Sequence, residues 1–332
     1  MPKRFITILV QYLAFLGIGI LFAWLSVRNL NNENWQQLKL SIKGARLWLT
    51  VPVFLLLLLS HYLRGLRWKL LIDPLGHSIR PANAFLTVLV GYLVNLGVPR
   101  LGEFMRCTVL ARYEKLSVEK LVGTVISERL FDSVCLMLVF GLTLGIQPHL
   151  YDSIWSTLSK TDGNQPTTSH FNGQFYILLA VLLLGVFSWF LWKQKKVKDL
   201  IQLFTSSISK VISGLLTIKK MRHPKSFIGL TLCIWMLYLL AGYIGFLAFP
   251  ETQHFGITEA LTILSVGSIG MIISPGGIGA YAYLILYTMQ LYGLGYANAL
   301  AFGWTLWLAQ TLVILAGGIL SFTLLPLLNR KE

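Results

Sequence analysis

The residues best placed to do chemistry are charged side chains set inside apolar sequence. Glu128, Arg129 and Asp132 lie within the apolar stretch 121–146. On a helix, Glu128 and Asp132 are four apart and share a face, while Arg129 and Asp132 are three apart and can pair. At 1.5 Å per residue Glu128 is roughly 10 Å beyond Leu121, so the group is set inside the stretch rather than at its edge. An unpaired charge there costs at least ~2.5–3.5 kcal/mol in a bilayer, and compensation is expected. A second group, Arg100, Glu103, Arg106 and Arg112, follows Pro99. Proline suits the first helical position, where its missing N–H would be unpaired anyway. A helix starting at Pro99 within the protein would turn free N–H groups and a positive dipole end toward an anion. Arg100 would add a bidentate donor for phosphate or carboxylate. Glu103 and Arg106, three apart, could neutralise one another.

These charges have two readings. One is a polar cavity within the membrane that accepts a charged head group or ion. The other is a structural network in which Arg129 pairs with Asp132 and Glu103 and holds broken helices together. The run Ser274-Pro275-Gly276-Gly277-Ile278-Gly279 mirrors the Pro99–Gly102 region. Ser274 can cap a helix and Pro275 fits a first turn. The glycines permit close approach by a ligand or a neighbouring helix. The run is not a soluble phosphate loop, because no Lys-Ser/Thr follows it.

Catalysis finds little support. The six histidines form no HExxH pair, no GxSxG elbow is present, and no nucleophile has a recognisable partner. Cys107, Cys135 and Cys233 are isolated, without metal-ligand spacing, and read as small apolar residues. No enzyme activity, metal or cofactor is expected.

The elements that must position the charges follow from composition. Of 332 residues, 55% are hydrophobic and 12% charged, half the roughly 25% charge of a soluble domain. The sequence predicts an all-α polytopic membrane protein. Spans are expected at 5–27, 47–63, 121–146, 175–192, 227–249 and 299–325. The pieces 84–98, 260–273 and 279–292 are too short to span unaided and predict broken or re-entrant helices. The apolar part of 5–27 exceeds a signal-peptide core, so a retained helix is expected.

The net charge of +15 sits mainly in short loops, a positive-inside pattern rather than a nucleic-acid surface. Residues 193–225 hold nine basic residues and one acid and are expected in the cytoplasm; 147–173, with one lysine and two aspartates, outside. Both termini then read as cytoplasmic. Arg28, Lys39, Lys43 and Arg46 run against this scheme. Two segments are amphipathic: Trp35, Leu38, Ile42, Ala45 and Leu49, running straight into the second span, and Leu200 to Leu215 within 193–225. Each would lie at the lipid interface or pack on the protein's own helices. A single domain is expected, with inverted repeats at 47–146 and 227–328, each holding a short piece, a Pro/Gly break, a short helix and a long span.

With Asn95-Leu-Gly-Val-Pro-Arg-Leu-Gly-Glu-Phe-Met-Arg106, then Glu128-Arg-Leu-Phe-Asp132, then Pro275-Gly-Gly-Ile-Gly279, the chain resembles the lysylphosphatidylglycerol synthase transmembrane-region family. These flippase-like domains also form the membrane half of multiple peptide resistance factor proteins. The resemblance implies a lipid-translocating fold, with Arg100, Glu103, Arg106, Glu128, Arg129 and Asp132 at its polar motif positions. Lysyl transfer is not implied, since that reaction belongs to a separate soluble domain not expected in this chain. Many relatives place an acid after the Gly-Gly-x-Gly run, where this chain has Tyr281-Ala282-Tyr283, and an arginine near Thr305. Thr305 lies 30 residues after Pro275, as Arg129 does after Pro99, and only the first repeat keeps its charge.

The resulting expectation is an inner-membrane translocase of a phospholipid or lipid-linked intermediate with an anionic head group. Its partners would be membrane lipids, anionic or polyprenyl-phosphate-linked, with no nucleic acid and with homo-oligomerisation left open. The alternatives are an ion or small-solute transporter and a membrane-embedded lipid transferase or accessory subunit.

Overall fold

A computed structural model describes residues 2–98, 100–147 and 223–330, and these contain helices and turns but no strand. Ten α-helices follow in order: α1 (Pro2–Val27), α2 (Asn32–Gly44), α3 (Thr50–Ile72), α4 (Pro81–Gly97), α5 (Leu101–Glu114), α6 (Val118–Ile146), α7 (Pro224–Leu247), α8 (Ile257–Ile273), α9 (Ala280–Leu291) and α10 (Tyr296–Leu328). Nearly all belong to one unit, Met1–Thr143 with Lys219–Glu332. The second unit, Leu144–Ile218, is described only as far as Gln147. The expected span 175–192, the amphipathic segment to residue 222, and Pro99 lie outside the described residues.

Among the described residues, four helical segments are long and apolar enough to cross a bilayer: Leu47–Leu75, Val118–Ile146, Pro224–Leu247 and Tyr296–Leu328. Large apolar side chains such as Met137, Leu138, Leu232 and Ile319 are exposed on them, as lipid-facing surface requires. The chain is a multi-pass helical membrane protein.

The second span corrects its expected boundary. Ending it at Leu63 stops at the first charge, Arg64. The helix instead runs to Ile72, where Asp73-Pro74-Leu75 forms a single turn closed by Gly76 at φ +84°, a conformation glycine adopts without penalty. A second correction concerns α2, which does not run straight into α3. Ala45 is extended (ψ 139°), and its neighbour Arg46 donates its N–H to Ala248 O at 2.7 Å. Helix α2 packs part of its amphipathic face on the protein's own helices. Leu38 is buried in the core with Phe246 and Phe302, whereas Trp35, Leu40 and Ile42 are exposed.

The short helices form two hairpins that enter from opposite ends. In the first, α4 leaves one end of the bundle and α5 returns to it. The backbone N–H of Arg80, ahead of α4, and the Asn83 amide both donate to Glu114 Oε1, at the last residue of α5, at 3.0 and 2.7 Å. In the second, α8 and α9 start and finish at the end that holds Ala45 and Ala248. Tyr292, after α9, donates to Thr262 Oγ1 in the second turn of α8 at 2.9 Å, and Phe255 packs on the Tyr292 ring. The hairpin tips meet midway, where a Cβ on Gly276 would strike Leu96.

Asn83 and Asn329 exchange both of their amide bonds, at 2.9 and 2.8 Å, and fasten the end of α10 to the root of the first hairpin. Asn83 is 1% exposed, so Asn83→Leu removes both bonds to Asn329 and one of the two donors to Glu114, which keeps only the Arg80 N–H. A loss of about 2–4 kcal/mol is expected, to be checked by thermal denaturation in mild detergent.

Candidate functional site

The charged residues of α6 converge with arginines from α3 and α5. Arg64 and Arg67, three apart on the inner face of α3, both reach α6. Arg67 Nη2 donates to Asp132 Oδ1 at 2.7 Å and to Glu128 Oε1 at 3.4 Å, while Arg64 Nη1 donates to Asp132 Oδ2 and to Glu128 Oε1 at 3.2 Å. From α5, Arg106 Nη2 donates to Glu128 Oε2 at 2.7 Å. Glu128 is 0% exposed and takes bonds from three guanidinium groups. Helix α7 supplies neutral acceptors, Tyr238 Oη to Arg64 and Thr231 Oγ1 to Arg67. Aromatic faces cover the cations: Trp68 lies 4.6 Å from Arg106, Phe227 5.6 Å from Arg67, and Tyr92 5.9 Å from Arg64 and 6.0 Å from Arg129.

Farther out, Arg129 Nε lies 2.8 Å from Glu103 Oε1, off the line of its N–H, and Arg129 Nη1 lies 3.8 Å from Asp132. This pair is the open part of the network, with Arg129 34% and Glu103 31% exposed. Both line a narrow cleft together with Tyr92, Asn95, Gly102 and Arg106. The cleft has no room for a water-sized guest in this conformation.

Four guanidinium groups against three carboxylates leave one positive charge in excess within the cluster. The Nε–H groups of Arg64, Arg67 and Arg106 are also buried without an acceptor, a costly condition in a medium without water. The cluster therefore compensates most of its charge internally while remaining short of one anion.

Sequence spacing placed some pairings differently. Glu103 and Arg106 do not neutralise each other. Although neighbours on α5, they reach different partners on α6, Glu103 to Arg129 and Arg106 to Glu128. Arg100 is exposed, at φ +66° before the first turn of α5, and makes no ion pair among the described residues. Asn95 Oδ1 instead accepts the N–H of Gly102 at 2.9 Å. Arg64 and Arg67 escape a search that ends each span at its first charge. The signal for them was present in the stop sequence at Asp73-Pro74-Leu75-Gly76, which lies well beyond them.

The Gly-rich run serves as a joint between helices. Gly276, Gly277 and Gly279 have φ between +58° and +72°. A Cβ on Gly279 would strike backbone atoms of Gly19 and Ala23 in α1, and Gly276 O accepts from Trp307 Nε1 at 2.9 Å. Ser274 does not cap a helix. Its hydroxyl donates to Ile278 O at 2.9 Å across the turn, Pro275 begins a single 3₁₀ turn, and α9 starts only at Ala280. The tip of the second hairpin, which carries no charged residue, thus packs on α1, where Tyr283 meets Phe22, and Trp304 bonds to Ser26 at 3.3 Å.

Two opposed helical hairpins, long flanking helices and a one-sided arginine–carboxylate cluster make this a multi-pass, all-α membrane protein with charge buried among its helices. The chain matches the lysylphosphatidylglycerol synthase TM region over residues 10–318 and belongs to that family. It is also similar to a UPF0104 membrane protein of Methanocaldococcus jannaschii, with 30% identity over 98 residues, 29% of each chain. The match spans less than a third of that relative's length. No solved structure matches the chain.

Proposed function

We propose that the protein moves a phospholipid or lipid-linked intermediate across the membrane, with the phosphate of its head group held at the cluster of Arg64, Arg67, Arg106 and Arg129. The observation that carries this reading is the uncompensated positive charge, together with buried N–H donors, behind a cleft at the tip of a re-entrant hairpin. Such half-helix ends and unpaired donors commonly meet substrates near the bilayer midplane. The closed cleft fits a resting state that must open to admit a head group. Family membership supports a role in lipid metabolism or transport.

The charge distribution orients the protein in this proposal. Lys69, Arg80, Arg112, Lys115, Lys120, Lys225 and Arg330 gather at the end where the first hairpin is rooted, and Arg28, Lys39, Lys43 and Arg46 at the other. The positive-inside rule makes the first end cytoplasmic. Both α1 and α10 point their outer termini that way.

Arg129→Ala tests the site. Because Arg129 and Glu103 are partly exposed, the variant is expected to keep its fold. Transport of a fluorescent phosphatidylglycerol analogue in reconstituted vesicles should fall roughly tenfold to a hundredfold, the effect of one lost charge-assisted contact. Wild-type transport by the variant would overturn the assignment. Movement of a water-soluble anion independent of lipid would favour the solute-transporter reading instead.

A further inference from the structure

We propose that Glu103 is an intramolecular stand-in for the ligand's phosphate at Arg129, and that its displacement unlocks the seam between α5 and α6. The proposal rests on the anion-site reading above and adds its regulation. Three observations carry it.

First, the ion pairs of the cluster differ in accessibility. Arg67, Arg106 and Glu128 are all within 2% of full burial, whereas both members of the Arg129–Glu103 pair are about a third exposed and line the cleft. Exposed pairs are held weakly and exchange readily, while a buried pair leaves an uncompensated charge when broken. Second, the Arg129–Glu103 contact is short but misaligned, and Arg129 has no aligned hydrogen bond among the described residues. A tetrahedral phosphate entering the cleft offers acceptors in several directions and can meet the guanidinium edge-on, which this carboxylate does not. Glu103 sits in the first turn of α5, where a released carboxylate stays favourably placed against the helix dipole.

Third, α6 lies along no other described helix at close backbone range. Beside a buried apolar footing at Leu121 and Val125, it is tied to α3, α5, α7 and α8 by the arginine bonds, Trp68 to Thr124 at 2.9 Å, Phe131 on Phe227, and Thr143 with Ser265 at 2.8 Å. Among the described helices, the middle of α6 is therefore held chiefly by charged side chains. Across the α5–α6 seam the ties are Arg106–Glu128, which is deep, and Arg129–Glu103, which is outermost. Replacing the Glu103 carboxylate by a singly charged phosphodiester removes the outer tie while keeping the charge balance at Arg129 unchanged.

The test is binding of dihexanoyl-phosphatidylglycerol and, separately, inorganic phosphate to purified full-length protein in mild detergent. Wild type, Glu103→Gln, Glu103→Asp and Arg129→Ala are compared. Glu103→Gln should bind roughly five- to tenfold tighter than wild type, because no internal carboxylate competes. Glu103→Asp, whose shorter arm draws back from Arg129, should fall between them. Arg129→Ala should bind more weakly than all three, and adding Glu103→Gln to it should restore nothing. Gain with the lipid alone identifies a phospholipid head group, and gain with both probes a phosphate of either source; each supports displacement. If wild type binds and Arg129→Ala does not, but neither Glu103 variant tightens binding, the stand-in is wrong while the anion site stands. If no variant binds either probe, the anion site itself fails.

Discussion

Glu128→Ala is expected to be the most damaging single substitution in the protein. The Glu128 side chain accepts from Arg64, Arg67 and Arg106 and is 0% exposed. Among the described residues, its removal leaves Asp132 to compensate Arg64 and Arg67 and leaves Arg106 without a carboxylate partner. Breaking a buried pair costs about 3–5 kcal/mol, and here three contacts go at once where no water can replace them. The variant should fail to give a monodisperse peak on size-exclusion chromatography, or melt far below wild type. Glu128→Gln should behave similarly, since shape is kept but charge is lost. Wild-type stability in both variants would mean that the arginines draw their compensation from elsewhere, and the ion-pair account would fall. The contrast with Arg129→Ala, expected to fold but not transport, separates the structural interior of the cluster from its outer edge.

The second large effect is expected at Gly102. A Cβ there would sit on the carbonyl oxygen of Gly91 and against the Asn95 side chain, so α4 and α5 could not remain in contact. Overpacking costs typically 1–3 kcal/mol, and a backbone obstacle cannot yield by changing rotamer. Gly102→Ala should therefore lose about 3 kcal/mol or more, with the Asn95–Gly102 bond broken as well. Gly123→Ala is the control, because nothing described lies within 4 Å of its Cβ position. That change should be neutral, or stabilising by up to about 1 kcal/mol through helix propensity. Both effects are read from thermal melts of the purified proteins. Equal melts for the two would show that the hairpin is not packed as described.

Much of this was legible in advance because the bilayer simplifies the rules. Apolar run length predicts α6, α7 and α10, and the interruptions around Gly97–Gly102 and Ser274–Gly279 predict the two short hairpins. The spacing of Glu128 and Asp132 places both carboxylates on one helical face, where they are found. Local geometry also explains Gly276, Gly277 and Gly279, whose positive φ values suit a residue without a side chain.

What the sequence by itself determined was therefore the class of protein, the helical inventory and the presence of charge where lipid should be. Only the tertiary structure decided which charges meet. Arg64 and Arg67 lie more than 60 positions from Glu128 and Asp132, and their pairing depends on how α3 and α6 are rotated against each other. Glu103 and Arg106, neighbours on one turn, part to different partners for the same reason. Arg100 stays outside, exposed in a left-handed conformation just ahead of α5. Helical periodicity fixes which residues share a face, but the direction that face points is set by packing between distant segments.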